Sequence, residues 1–442
     1  MAIRAALGRS QPKEPKHADA LIFIALFCLG AIAVSFLLTS PAQLASGLGT
    51  IITSPSRLLT DYMAVASTGA ALLNAGLVTL LSLAMVASQR VSLSGPLIAA
   101  LLTVFGFSLF GKNLFNSIPI ALGVWLYSRV AQRPFGHFLL PAMFGTCLGP
   151  AVSTLAFGGT LPLWLGIIAG YGLGIILGFV IPPLAAHFLT FHQGFNLYNI
   201  GFTAGIVGMA ASVVLALLGV YFPGTRYLSS GNNLQLAILV YAACLGILLA
   251  GIIHHKRTRH LHHQSTWRGY LAILRHSGRN LTDFVHLEGF GVTAINMGVM
   301  GSLVTTIVLA FGGQLNGPIL GGIFCVMGFS AMGKHPVNAT PVMAGVMLAA
   351  LVGGSPTSET TVLMAALFGT TIAPISGFYG PLFGVAAGFL HEALVHNISF
   401  LHSGMNLYNN GFSGGFVAAI LVPIFDVIKN FVKDFRDRRA GS

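Results

Sequence analysis

Apolar stretches of helical length run along this chain between short polar, Gly-rich breaks. They predict helices near 20–40, 62–88, 95–111, 115–130, 137–157, 162–188 and 194–222. A second series follows at 233–253, 283–311, 317–333, 336–353, 358–376, 379–398 and 405–428. Several reach the roughly 20 residues needed to cross a bilayer. The third and fourth of each series fall short of that length and are joined through Gly-Lys-x-x-x-Asn. Such pieces read as re-entrant or broken helices.

The second series is a copy of the first. Leu59-Thr60-Asp61 returns as Leu281-Thr282-Asp283, Asn74 as Asn296, Gly95-Pro96 as Gly317-Pro318, and Gly111-Lys112 as Gly333-Lys334. Asn116 and Pro119 return as Asn338 and Pro341, and all these pairs share one offset of 222. Phe144-Gly145-Thr146 and Pro150 return as Phe368-Gly369-Thr370 and Pro374 at offset 224. The longest echo, Phe191–Gly205 against Leu401–Gly415, has offset 210 and contains His-x-Gly-x-Asn-Leu-Tyr-Asn-x-Gly-Phe twice. An ordered series of matches is the mark of internal duplication. The chain therefore divides into a tail at 1–19, a first membrane repeat at 20–222, a second at 233–428 and a tail at 429–442.

Composition places these repeats in lipid. The chain is 55% hydrophobic and 7% charged, with mean hydropathy +0.83, whereas soluble proteins carry about 25% charged residues. The net charge of +12 comes from 22 Lys and Arg against ten acids. The basic residues cluster at Met1–Asp19, His254–Arg279 and after Asp426, as cytoplasmic ends do. A nucleic-acid partner is set aside on that ground, and the His254–His263 run reads as a solvated loop rather than a metal site. Loop 41–60 holds one basic residue, Arg57, while its equivalent 254–280 is densely basic. With an odd number of crossings per repeat, equivalent loops fall on opposite faces. The expected fold is all-α and integral to the membrane: two inverted-topology repeats of about seven helical segments, both termini cytoplasmic, in the cell inner membrane.

Three motifs carry the candidate chemistry. The twin His-x-Gly-x-Asn-Leu-Tyr-Asn segments present His192, Asn196, Tyr198 and Asn199, and His402, Asn406, Tyr408 and Asn409. In lipid such groups must face protein or a watery cavity, so they either line a solute path or bond one another. Lys112 and Lys334 follow the short helices, with Asn116 and Asn338 one turn on. A Lys there neutralises carbonyl ends, attracts an anion or snorkels to the interface. In the third motif, Phe-Gly-Thr-x-x-x-Pro, Gly and Pro predict a helix break whose freed backbone Thr146 and Thr370 re-satisfy. Asp61 and Asp283, after Leu-Thr, read as helix N-caps. Cys28, Cys147, Cys244 and Cys325 lie in apolar segments without metal-ligand spacing and read as packing residues. Glu392 and Glu288 are weak candidates for a proton-linked role.

The paired Asn-Leu-Tyr-Asn-x-Gly-Phe motifs with Gly-Lys-x-x-x-Asn-x-x-Pro resemble a prokaryotic polytopic membrane family with a duplicated domain of unknown function, over roughly 60–428. The resemblance implies no substrate. The layout is similar to the seven-plus-seven nucleobase/anion transporters and to the five-plus-re-entrant urea transporters.

No phosphate loop, dinucleotide fingerprint, nucleophile motif or catalytic carboxylate pair is present. The expectation is therefore a channel or secondary transporter for a small polar or anionic solute, not an enzyme, needing no cofactor or metal. The expected partners are the solute and membrane lipid, with a homo-oligomer left open. The rival reading is a membrane-embedded enzyme or a sensory subunit. Retention of the polar residues in both copies favours a pseudo-symmetric pathway.

Overall fold

The computed structural model describes residues 18–56, 58–221, 226–262, 265–280 and 282–440. Arg57 and Leu281, used above for loop charge and repeat matching, lie outside these residues, as do most of the 1–19 tail and part of the basic 254–280 loop. Among the described residues all extended regular structure is helical, and nine helices have the length and composition to cross a membrane.

The expected segments appear with shifts that have local causes. The 62–88 segment divides at Ser67, whose hydroxyl accepts from Ala70 N (3.1 Å) and starts helix Thr68–Ser88. Its counterpart divides at Gly289, whose φ of 83° only glycine adopts readily, before Phe290–Ala310. The short third and fourth segments are helices Gly95–Phe107 and Leu114–Val130, repeated as Gly317–Phe329 and Pro336–Val352. The expected breaks occur at Phe-Gly-Thr. Leu139–Gly145 passes into a 3₁₀ turn, Thr146–Leu148, before Gly149–Phe157. Thr360–Gly369 does the same at Thr370–Ile372, before Ala373–Tyr379.

Two regions treated as loops contain helix. Pro41–Thr53 lies within 41–60, and 254–280 contains both the end of helix Asn233–His262, so that the His-rich run expected as a loop is helical as far as His262, and Thr266–Ile273. The first is rich in Gly, Ser and Thr, so no apolar window marks it, yet Pro41 sits in its first turn and Ser40 N donates to Gln43 Oε1 (3.4 Å). The C-terminal tail is also helical, since Asn409–Ala440 continues through 429–440.

The halves are inverted, and the contact between equivalent helices shows it. Gly95, at the start of Gly95–Phe107, packs on Ala331, just past the end of Gly317–Phe329. Gly317 in turn packs on Leu109, just past the end of the first helix. Two copies of one helix thus lie side by side in opposite directions. Their backbones meet at Gly106 and Gly321, where a Cβ on Gly106 would stand 2.7 Å from Gly321 O.

The caps obey the same symmetry. Asp61 accepts from Met63 N (2.9 Å), and Asp283 accepts from Val285 N (2.9 Å) and His286 N (3.1 Å). Asp283 also reaches across to Gly95 N (3.0 Å), as Asp61 lies against Gly317. The two faces are closed by one repeated bond: Leu58 N to Gly404 O on one, Asn280 N to Gly194 O on the other, both 3.2 Å.

Candidate solute site where the halves meet

The twin motifs are stitched to the helix breaks of the opposite half. A broken helix leaves backbone groups without intrahelical partners, and in lipid these must be satisfied by protein. Leu197 N donates to Thr371 O (2.9 Å), and Leu407 N donates to Cys147 O (3.1 Å). Asn196 Oδ1 accepts from Tyr198 N (3.1 Å) and Thr371 Oγ1 (2.6 Å), while its Nδ2 donates to Gly411 O (2.9 Å). Asn406 answers with Tyr408 N (2.9 Å) and Gly201 O (3.1 Å). The Phe-Gly-Thr threonines repair the breaks, Thr146 donating to Met143 O (2.5 Å) and Thr370 to Leu367 O (2.6 Å).

The histidines and the second asparagine of each motif act locally. His192 Nε2 donates to Asn199 Oδ1 (3.0 Å), and Asn199 Nδ2 donates to Ala185 O (2.9 Å). His402, Asn409 and Val395 repeat this at 2.9 and 3.1 Å. Each pair ties its motif to the preceding helix. Asn116 and Asn338 hold the Gly-Lys loops: Asn116 donates to Gly111 O (3.0 Å) and Ser153 Oγ (2.8 Å), and Asn338 donates to Gly333 O (2.8 Å). Of the twelve candidate residues, these eight direct their amide or imidazole groups to protein partners.

Three of the remaining four converge, and Lys112 stands apart from them. Tyr198 and Tyr408 touch across the interface, ring centroids 4.7 Å apart, each beside the other half's glycine-rich helix start. Helices Asn199–Leu217 and Asn409–Ala440 begin immediately after them and cross near Gly201 and Gly411. The positive ends of two helix dipoles are thereby brought to one place. Lys334, fully buried, donates to Tyr198 OH (2.6 Å) and Thr370 Oγ1 (2.7 Å), and its ammonium lies 4.4 Å from the Tyr198 ring centroid. Phe329 closes on Tyr198 and Phe107 on Tyr408, both at 4.6 Å. Lys112 is 2% exposed and bonds Met143 O at 3.3 Å.

The interior also contains a pair the sequence reading missed. Cys325 Sγ donates to Tyr198 OH (3.2 Å), stands 3.7 Å from Tyr408 OH and accepts from Thr103 Oγ1 (3.4 Å). Thr103 and Cys325 are counterparts at offset 222, so one position contacts its own repeat on the symmetry axis. The offset was the available signal; the change of residue type hid it.

Two cavities border these groups. One of about 420 Å³ is lined by Tyr198, Tyr408 and Asn199 with mainly apolar neighbours such as Phe144, Pro182 and Phe329. It runs out past Pro96, His137 and Leu189. Gly95, beside Pro96, packs on Ala331 near Asp283, so this exit lies on the face that carries 265–280. The other, about 370 Å³, lies between Thr68–Ser88 and Leu114–Val130 and is bordered by Lys112, Met143 and Thr146.

Fold and contacts define an all-helical integral membrane protein of duplicated, inverted build, with a polar centre between its halves. The family model described as "Protein of unknown function (DUF1576)" matches residues 40–217 and 261–427, one stretch in each half, and the chain belongs to that family. No curated protein and no solved structure matches it.

Proposed function

We propose that the protein is a membrane transport protein, a channel or secondary transporter, for a small anionic or hydrogen-bonding solute bound between the two halves. The observation that carries this reading is Lys334. Its ammonium is buried without a carboxylate at hydrogen-bond distance among the described residues, held by a tyrosine and a threonine at the point where the halves touch. A buried cation lacking an anion is costly, and converging helix N-termini favour negative charge at the same place. The adjacent cavity gives a solute a route to Tyr198 and Tyr408 from one face.

Both termini are assigned to the cytoplasm of the cell inner membrane, because the basic clusters then obey the positive-inside rule. No chemical step is assigned to the site, and no cofactor or metal is called for.

The test is uptake into proteoliposomes from defined pools: inorganic anions, short carboxylates, and neutral amides and nucleobases. Uptake of one pool, reduced in Lys334→Met while the variant melts like wild type in detergent, supports the reading. Equal uptake by both proteins, or none above empty liposomes from any pool, contradicts it.

A further inference from the structure

The two sides of the tyrosine pair are built differently. On the first-half side, Pro182, Ala186 and Ile200 line the open cavity. At offset 210 their counterparts are Glu392, His396 and Asn410, and Ile181 has His391 as its counterpart. An apolar wall in one repeat is a titratable cluster in the other. His396 Nε2 meets Glu392 Oε1 at 2.7 Å, and His391 Nε2 donates to Asn410 Oδ1 at 2.9 Å. Glu392 is 5% exposed, and its Oε2 has no partner among the described residues. The His396 side chain is 42% exposed, so the pair runs from the surface to the interior. His391 packs on Gly369, where a Cβ would stand 2.7 Å from its ring, and Gly369 precedes the Thr370 that holds Lys334.

We propose that Glu392, with His396 as its surface partner, is a proton-binding site, and that the bound proton decides whether the second-half side of the path opens. The inference builds on the transport reading and would make transport proton-coupled. Inverted repeats exchange roles when access changes sides, so the wall containing Glu392 is the one that must part when the first-half cavity closes. A carboxylate with a buried, unpartnered oxygen holds that wall at a cost. A proton delivered from water through His396 to the carboxylate removes the buried negative charge from that wall, and the same proton leaves by the reverse transfer.

The surroundings contain few competing charges. Glu359, at the start of Thr360–Gly369, is paired with Arg226 at 3.3 Å. His402, in the turn Ser399–His402, is bonded to Asn409. On Asn409–Ala440, Asp426 accepts from Tyr379 of Ala373–Tyr379 (2.6 Å), and Lys429 lies 4.0 Å from the Phe378 ring centroid. Pro336–Val352 has no titratable side chain; His335 at its start is 2.8 Å from His276 O.

The experiment needs no solute. Val395, counterpart of the cavity-lining Ala185, is 4% exposed. The reaction of Val395→Cys with a small neutral thiol reagent in proteoliposomes is followed from pH 5.5 to 8.5, referenced to a surface cysteine at Ser46. The referenced rate is expected to change severalfold with pH, and Glu392→Gln and His396→Gln are each expected to flatten it in protein that melts normally. A flat profile in the Val395→Cys parent, or one that persists in both Gln variants, overturns the proposal. Should the Gln variants not fold, infrared titration of the wild type decides: a titrating carboxyl band shifted by Glu392→Asp supports the site, and its absence overturns it. A pH-gated protein that moves none of the solute pools keeps the proton site and loses the transport reading.

Discussion

Lys112 and Lys334 stand at one position of the repeat, and their surroundings are the same up to the side chain. Asn74 donates to Ser108 O (2.7 Å) and Lys112 O (2.9 Å), and Asn296 donates to Ser330 O and Lys334 O, both 2.8 Å. Asn116 and Asn338 brace the following turn alike. The ammonium groups then part: Lys334 closes on Tyr198 and Thr370, while Lys112 takes the Met143 carbonyl beside a cavity. The backbone scaffold is thus symmetric and the polar centre is not. Under the transport function proposed above, such an asymmetry is what a protein resting on one side of an access cycle would present.

The largest effect expected from this difference is on transport. A hydrogen bond from a charged donor is worth about 1.5–3 kcal/mol, which amounts to roughly ten- to hundredfold in rate or affinity. Lys334→Met is therefore expected to lower proteoliposome uptake by at least about tenfold, and Lys112→Met by less, both with near-normal detergent melting. Equal losses in the two variants would remove the asymmetry as a functional feature.

The interface asparagines come next, and they sharpen the structural side of the comparison. Asn196 ties Tyr198 N, Thr371 Oγ1 and Gly411 O together, whereas Asn406 ties Tyr408 N and Gly201 O. Cys147 occupies the position equivalent to Thr371. Asn196→Ala is expected to cost about 2–3 kcal/mol and Asn406→Ala about 1–2, because each leaves buried partners unsatisfied. Thermal melting of the purified variants orders them.

Glycine contacts should show no asymmetry. Gly123 meets the backbone of Ile175, and Gly345 that of Val385, in the same helix pair of each half. Gly123→Ala and Gly345→Ala are expected to destabilise by similar amounts, about 1–3 kcal/mol. A large gap between them would mean that the scaffolds themselves differ. The smallest effect belongs to Arg226→Ala: its pair with Glu359 is exposed, and such pairs contribute about 0–1 kcal/mol.

Much of this fold is legible in the sequence because duplication is a pattern of spacing. The offsets locate the paired helices, the capping Asp61 and Asp283, and the breaks at Thr146 and Thr370. Pro41–Thr53 escapes because its composition masks its helical signals. The site is legible only in part. A sequence shows that Asn196 and His192 have polar groups, but not that Gly411, 215 residues away, and Asn199, seven away, take them up. Cys325 looks like a packing residue until the fold sets it between Thr103 and two tyrosine hydroxyls.

Two halves that face opposite ways around the proposed path should expose position 189 and its counterpart 399 on opposite faces. Leu189 lines the mouth of the cavity beside Tyr198, and Ser399 begins the turn at the equivalent place of the second half. One cysteine at a time is placed at the two sites, in a background freed of Cys28, Cys147 and Cys244 and keeping only the fully buried Cys325, and is labelled with a membrane-impermeant thiol reagent in spheroplasts and in inverted vesicles. Leu189→Cys should react only from the face that carries 265–280, and Ser399→Cys only from the other. Labelling of both from one face would contradict the inverted architecture and the path drawn through it.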